Sequence, residues 1–425
     1  MIYEQGRLKN FLLSAEGAEL LAGLYQDGVS QKRRYVRAIE CFERFFGSAP
    51  AAVFSAPGRT ELCGNHTDHQ RGHVLAAAVT LDIVAVASPV ETGVMRLFSE
   101  GFDIMHEVGQ GSLAPKADEK NTPAALIRGV AARLSAAGHH AGGFDAYVAS
   151  DVPLGSGLSS SAAFEVLVGT IQNYFYNDCR ISALELAQIG QYAENVYFGK
   201  PCGLLDQAAS AIGGVVHIDF NELCAPAVKK LDAPCWDYDI CIVNTGGSHA
   251  GLTGEYADIP NEMRMAAGCF GCEALADVDY ADFIAELGTL REKLPDRAIL
   301  RAMHFFDENE RVLKQASALI EKRWGDYIDV MTESGRSSFM LLQNVYPTSN
   351  LDERGNALAL AVSEKLLKGR GAWRIHGGGF AGTIQALVPK SFTKAYKAEM
   401  DRLFGAGSVS RLSIRQSGAC ALKIK

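Results

Sequence analysis

The chain lacks a stretch that would cross a bilayer as a helix. Its prominent apolar run, Val74 to Ala87, is broken by Asp82 and stops before Pro89, against the roughly 20 apolar residues a spanning helix needs. Positive charge is short as well: 41 Lys and Arg stand against 49 Asp and Glu, a formal net charge of −8. That balance excludes the basic stripe of a nucleic-acid surface. The one dense basic triplet, Lys32-Arg33-Arg34, reads as a solvated helix face. Met1-Ile-Tyr-Glu-Gln-Gly-Arg7 has no apolar leader segment. Ten cysteines are scattered without a disulfide framework. Cys269 and Cys272 form a CxxC with no second pair at zinc spacing, and read as helix-borne core thiols. Repeats and low-complexity tracts are missing too. The expectation is a cytoplasmic protein with no membrane or nucleic acid among its partners.

What the chain does have is size and alternation of patterns. Its 425 residues, 48% hydrophobic and 21% charged, are ordinary for a soluble mixed α and β protein and long for one core. Residues 8–46 have apolar side chains at helical spacing and end at Gly47-Ser-Ala-Pro50. Strand-like runs follow at 51–55, 74–88, 95–98 and 144–149, with helical spacing at 123–137, 162–176 and 182–198. After a strand over 213–220, the segment 221–236 has two prolines and no clear period, and the lobe boundary is placed there. The pattern then restarts with strand Tyr238–Asn244. Helices are expected near 260–273, 299–321 and 353–366, and strands near 373–375, 382–388 and 411–415.

Chemistry concentrates in a few strings. Val152-Pro-Leu-Gly-Ser-Gly-Leu-Ser-Ser-Ser-Ala-Ala163 bares the backbone at Gly155 and Gly157 and opens a helix with hydroxyls. Peptide N–H groups at a helix start, helped by its dipole, cradle phosphate. The string has no Gly-Lys-Ser/Thr of a Walker A loop and no acidic residue at dinucleotide-fingerprint spacing. Alone, it also fits an ordinary serine-capped helix. Ala56-Pro-Gly-Arg-Thr-Glu-Leu-Cys-Gly-Asn-His-Thr-Asp-His69 has a Pro-Gly pair expected to turn the chain. The fixed charge of Arg59 follows, then Asn65, His66 and Asp68 in one short polar turn. Such a turn suits a sugar whose hydroxyls each need a partner, half of a metal site, or a solvated loop. Glu194 and Asp206 follow on different elements, Asp206 flanked by Leu204 and Leu205. A nearby arginine would hold Asp206 ionised and ready to take a proton, or it caps a helix from Ala208. Gly371-Ala-Trp-Arg-Ile-His-Gly-Gly-Gly-Phe-Ala-Gly382 is a second glycine cluster, fit for close backbone approach or for a hairpin turn.

In this order, the glycine-bearing strings resemble the three signature motifs of the galactokinase branch of the GHMP small-molecule kinases, from about Gly47 to the C-terminus. The resemblance implies an α+β, two-lobed GHMP kinase fold: an N-terminal lobe like the second domain of ribosomal protein S5 over 1–230, and a ferredoxin-like C-terminal lobe over 231–425. The active site would lie in the cleft between them. It further implies that Gly155, Ser156, Gly157, Leu158, Ser159, Ser160 and Ser161 cradle the phosphates of ATP and that Ser161 and Glu194 hold Mg2+. Asp206 would accept the proton of the anomeric hydroxyl, with Arg59 holding it ionised. Asn65, His66, Thr67, Asp68, Gly203 and Tyr256 would bind galactose, in a monomer or weak homodimer.

The chain departs from the family at Asn65, where a glutamate is usual, and at Ile375-His376 and Ala381, which read as packing variation. A neutral amide at 65 removes a repulsion of about 4 kcal/mol between like charges about 4 Å apart at an effective dielectric of about 20. Asp68-His69-Gln70 also resembles galacturonate kinases, and Arg71 beside it is placed to pair with a uronate or to face solvent. Galactose is the first expectation, galacturonate or another C6-altered sugar the second. A non-catalytic sensor of galactose and ATP is the alternative of another class.

Overall fold

The computed structural model describes residues 1–25, 27–101, 104–153, 157–200, 202–222, 226–232, 237–248, 251–350 and 352–424. Its strands are β1 (Ala52–Cys63), β2 (His73–Val90), β3 (Val94–Ser99), β4 (Met105–Gly109), β5 (Gly143–Ser150), β6 (Val215–Asp219), β7 (Ala227–Leu231), β8 (Tyr238–Asn244), β9 (Ala372–Ile375), β10 (Thr383–Pro389), β11 (Val409–Leu412) and β12 (Cys420–Ala421). One sheet runs β12-β1-β2-β5-β3-β4, with β6 and β7 continuing from the far end of β2; the other runs β11-β8-β10-β9.

Alternation along the strands explains why these apolar runs are nearly continuous. Val53, Val84, Val86, Tyr147 and Ala149 pack beneath the N-terminal helices with Leu8, Tyr35, Ile39 and Phe42. Their neighbours Phe54, Ala85, Ala87, Ala146 and Val148 face the opposite side, against Ile127, Leu167 and Ile171. Both faces are covered, so no polar face appears in the sequence. The same core continues to Ile240, Ile242 and Leu387 of the second sheet, whose other face carries Leu360, Tyr396 and Met400.

The expected division at 230/231 falls inside β7, one residue before its end, yet the chain end returns to the first sheet. Phe54 pairs with Ala421, and Arg415 reaches back to Asp82. Among the described residues, no helix is long and apolar enough to cross a membrane.

Four expectations change. Pro57-Gly58 does not turn the chain: β1 runs through it, paired with β2, and the ladder register shifts between Pro57 and Arg59. A strand paired on both sides of a Pro-Gly absorbs it as a bulge. The helix carrying Asp206 starts at Leu205, not Ala208, so the carboxylate lies in its first turn rather than at its cap. Cys269 lies just past the Thr253–Gly268 helix and is exposed, and Cys272 is half-buried, so neither is a core thiol. The Lys32-Arg33-Arg34 triplet is not wholly solvated. Arg34 turns inward to Asp82 at 2.6 Å.

Asp82, the charge that interrupts β2, is 0% exposed. It takes bonds from Arg34, from Arg415 at 2.9 Å, from the Tyr25 hydroxyl at 2.5 Å and from Ser55. Burial pushes this carboxyl up, but Arg34 and Arg415 outweigh it and hold it below the usual range. Asp82→Ala leaves buried Arg415 without a carboxylate and Arg34 with Asp151 alone, at 3.0 Å, and is expected to cost about 3–5 kcal/mol, read as a lower urea midpoint at pH 7. In the parent protein this stabilisation is complete above the ordinary carboxylate pKa of about 3.9 and disappears as pH falls through the depressed folded value. An unchanged midpoint in the variant would show that the network contributes nothing.

Candidate active site

The phosphate-loop string follows β5 and leads into the buried Ser160–Tyr176 helix. Gly155 and Ser156 lie outside the described residues. Gly157 (φ 72°) and Ser159 (φ 55°) both adopt left-handed backbone, a conformation costly for the serine and of the kind that gathers at functional sites. Buried Leu158 fastens the loop to β1, its carbonyl accepting the Arg59 N–H at 3.1 Å. A Cβ on Gly58 would stand 2.9 Å from that oxygen, which is why glycine is required at the bulge. Half-buried Ser160 and Ser161 open the helix, whose first N–H groups lack helical partners and carry the positive end of the dipole.

Arg59 joins three parts of this region. It donates from Nε to Asp206 Oδ1 at 2.7 Å, from Nη2 to the same oxygen at 2.6 Å, and from Nη1 to the Gly157 carbonyl. The other Asp206 oxygen accepts from Ser159. Burial would raise the Asp206 carboxyl, but Arg59 foremost, with the Ser159 bond, brings it below the ordinary range. A carboxylate and a guanidinium 147 residues apart in sequence thus meet beside the loop.

Glu194 sits on the widened π-helical turn Ala193–Phe198, 1% exposed, and accepts from Ser161 Oγ at 2.8 Å and Lys200 Nζ at 3.3 Å. Such turns are frequent at functional sites. Gln207, which the sequence reading passed over, donates its amide both to Glu194 at 2.9 Å and to Glu165 at 3.0 Å. Glu165 is fully buried. Desolvation, reinforced by the charge of Glu194, pushes its carboxyl well above the usual range.

The polar turn is held mainly by residues the sequence reading missed. Glu308, on the Asp296–Ile320 helix, accepts the backbone N–H of Gly64 at 3.1 Å and of Asn65 at 3.4 Å. Burial opposes its charge, but His304, Arg374 and Arg311 hold its pKa down to about 2. Two expected sugar contacts face inward instead. Asn65, 1% exposed, donates to Glu61 at 3.2 Å and the Gly377 carbonyl at 2.7 Å, and accepts from Asn344 at 2.7 Å. Thr67 gives its hydroxyl to the carbonyls of Gly64 and His73. Both stitch the turn together, because buried polar atoms in so tight a loop must find partners within reach.

His66 (φ 63°) bonds the Gly378 carbonyl through Nε2 at 3.1 Å, so that nitrogen carries the proton; burial pulls its pKa to about 4 and keeps the ring neutral. Asp68 abuts Gly203, where a Cβ would overlap its Oδ2. Burial first, then the charges of Glu61 and Asp206, raise Asp68 to about 6. Tyr256 donates to the Gly379 carbonyl at 2.9 Å and packs edge-on to Phe380, which joins it to the glycine cluster. Arg71 binds Glu273 and Asp277, each at 3.0 Å, on the outer side of the turn. His376 is more than packing variation: it bonds the hydroxyls of Thr60 at 3.0 Å and Thr383 at 3.2 Å, and its ring lies 2.8 Å from where a Gly157 Cβ would stand. The glycine cluster therefore braces both the polar turn and the phosphate loop.

Comparison with known proteins places this arrangement. Residues 125–214 match the GHMP kinases N terminal domain. The solved Lactococcus lactis galactokinase complexed with galactose superposes with a TM-score of 0.77 at 26% identity, over 89% of this chain and 97% of that one. The fold and loop are those of the GHMP kinases. Residues 40–89 match the galactokinase galactose-binding signature. The galactokinase of Streptomyces coelicolor is 33% identical over 374 residues, 87% of this chain and 93% of its own length. That of Actinobacillus pleuropneumoniae serotype 3 is 32% identical over 359 residues, 83% and 89% respectively. The chain belongs to the galactokinase family and is a phosphotransferase.

Proposed function

We propose that this protein transfers the γ-phosphoryl group of ATP to the anomeric hydroxyl of galactose, giving galactose 1-phosphate and ADP, in the cleft between lobes formed by 1–230 and 231–425. The observation that carries this reading is Arg59, which grips Asp206 through two donors while bonding the phosphate loop at Gly157. Phosphoryl transfer needs alignment, charge neutralisation and a base more than covalent chemistry. Residues 155–161 cradle the phosphates, Asp206 takes the sugar proton, and Arg59 offsets charge on the transferred group. His66, Asp68, Gly203 and Tyr256 border the sugar, while Asn65 and Thr67 keep the turn in shape.

Ser161 and Glu194 suit a magnesium ion. Their oxygens are hard donors 2.8 Å apart, the ligand type that magnesium prefers. When bound, the ion would neutralise phosphate charge; Lys200, 3.3 Å from the same carboxylate oxygen, adds to that field. The galacturonate alternative loses its cation, since Arg71 is taken by Glu273 and Asp277.

The test is release of ADP by the purified protein with ATP and each sugar in turn. Galactose-dependent ADP is expected, and a sensor without turnover would give none. The acid limb of the pH profile should belong to Asp68. With its pKa near 6, it is protonated below that pH and ionised above, whereas Asp206 stays ionised throughout this window. Thus kcat/KM for galactose is expected to fall about tenfold per pH unit well below pH 6, and Asp68→Asn to flatten that limb at a low level. A limb unchanged in the variant would assign it elsewhere.

A further inference from the structure

We propose that Glu61 reads the sugar, and that its carboxylate makes the pocket select a neutral hexose over a uronate. The inference rests on the galactose-kinase reading of the cleft and deepens it. Glu61 lies two residues beyond Arg59 on β1, where pairing with β2 is regular from Arg59 to Glu61. Strand alternation therefore puts both side chains on one face. One carboxylate oxygen, Oε1, accepts from Arg374 Nη2 at 2.6 Å and from Asn65 Nδ2 at 3.2 Å. The other, Oε2, accepts no hydrogen bond from the described residues, and the side chain keeps 9% exposure. Arg374, 0% exposed on β9, holds the carboxylate in place from behind. The negative charge of Glu61 is felt by Asp68, which borders Gly203.

Asn65 has no such free atom, since both ends of its amide are committed to Glu61, Gly377 and Asn344. The neutral side chain in the turn therefore does not leave the pocket neutral, because a carboxylate enters from the adjoining strand. A free carboxylate oxygen accepts a sugar hydroxyl well and repels a uronate's carboxylate. The nearby guanidinium groups offer a uronate little compensation. Arg59 is spent on Asp206 and Arg71 on Glu273 and Asp277, while Arg374 gives only Nη2 to Glu61, its unpartnered Nε and Nη1 being buried with the rest of a side chain that is 0% exposed.

The experiment compares the parent enzyme with Glu61→Gln, using galactose, a series of monodeoxygalactoses and D-galacturonate, with saturating ATP. The parent is expected to phosphorylate galactose and leave galacturonate essentially untouched. In E61Q, KM for galactose should rise about tenfold to a hundredfold, the usual loss of one hydrogen bond to a charged group, with KM for ATP unchanged. Preference for galactose over galacturonate should narrow by about a hundredfold. One deoxygalactose that is a poor substrate for the parent should suffer no further loss in the variant, which identifies the hydroxyl Glu61 meets.

If the parent releases no ADP with galactose, the underlying reading fails. If the parent works and E61Q matches it in galactose KM and in discrimination, the role of Glu61 fails alone. Should E61Q not fold, the parent still decides: turnover of galacturonate comparable with galactose would overturn the proposal. Glu61→Gln combined with Arg374→Gln, which removes both buried charges together, supplies the second variant.

Discussion

Asp206→Ala is expected to bind ATP and galactose but to release ADP roughly a hundredfold to ten-thousandfold more slowly than the parent, the range supplied by a positioned general base. The carboxylate stands at the first turn of its helix, where the dipole favours its charge. It is held by Arg59 and Ser159, so it is ionised and immobile before any substrate arrives. Removing it frees the Arg59 guanidinium beside the phosphate loop. Affinity for ATP should therefore hold or rise while kcat collapses. Calorimetric binding with and without magnesium, set beside single-turnover rates, separates these effects. Preserved turnover in the variant would overturn the assignment of the base.

Arg59→Ala is expected to lose about a thousandfold in kcat, the lower end of what a transition-state arginine supplies in phosphoryl transfer. Its loss acts twice. The guanidinium no longer offsets charge near the loop, and Asp206, left with burial as the dominant influence, shifts upward in pKa. Residual activity should then climb with pH through a range where the parent enzyme is flat, because the base must now be deprotonated. Arg59→Lys should rescue little. An ammonium keeps the charge but cannot hold Asp206 and the Gly157 carbonyl through three fixed donors. A variant with a large kcat loss and an unchanged pH profile would confine Arg59 to a role independent of Asp206.

The sequence disclosed the parts whose signals are local. Strand Tyr238–Asn244 appears at its expected bounds, and the helix expected over 162–176 starts at Ser160. Arg59, Asp206, Ser161 and Glu194 do converge beside one loop. Elements whose reason is distant stayed hidden. The Trp324–Ser337 helix went unread although Trp324, Tyr327, Ile328 and Met331 recur at helical spacing; past Met331 its buried face passes to Ser334 and Ser337, so the apolar signal covers only the first half. Strand β12 is two residues long and exists because β1 has a free edge.

The supporting shell of the site escaped for a related reason. Arg301, His304, Glu308 and Gln315 are all buried and recur at helical spacing on one helix. Read as polarity, that stripe suggests a solvated face; read as spacing, it marks charges that need buried partners. Glu61 and Asn65 teach the same lesson. Read singly, Asn65 takes a charge out of the pocket, whereas in space Glu61 lies 3.2 Å from its amide.

The most direct test of the central claim is a crystal structure with galactose, magnesium and a non-hydrolysable ATP analogue bound together. The anomeric oxygen of the sugar is expected within hydrogen-bond distance of Asp206, with Arg59 still gripping that carboxylate and the terminal phosphate lying between the sugar and the loop of Ser159–Ser161. A sugar seated away from Asp206, or an Arg59 and Asp206 parted and turned toward solvent, would contradict it.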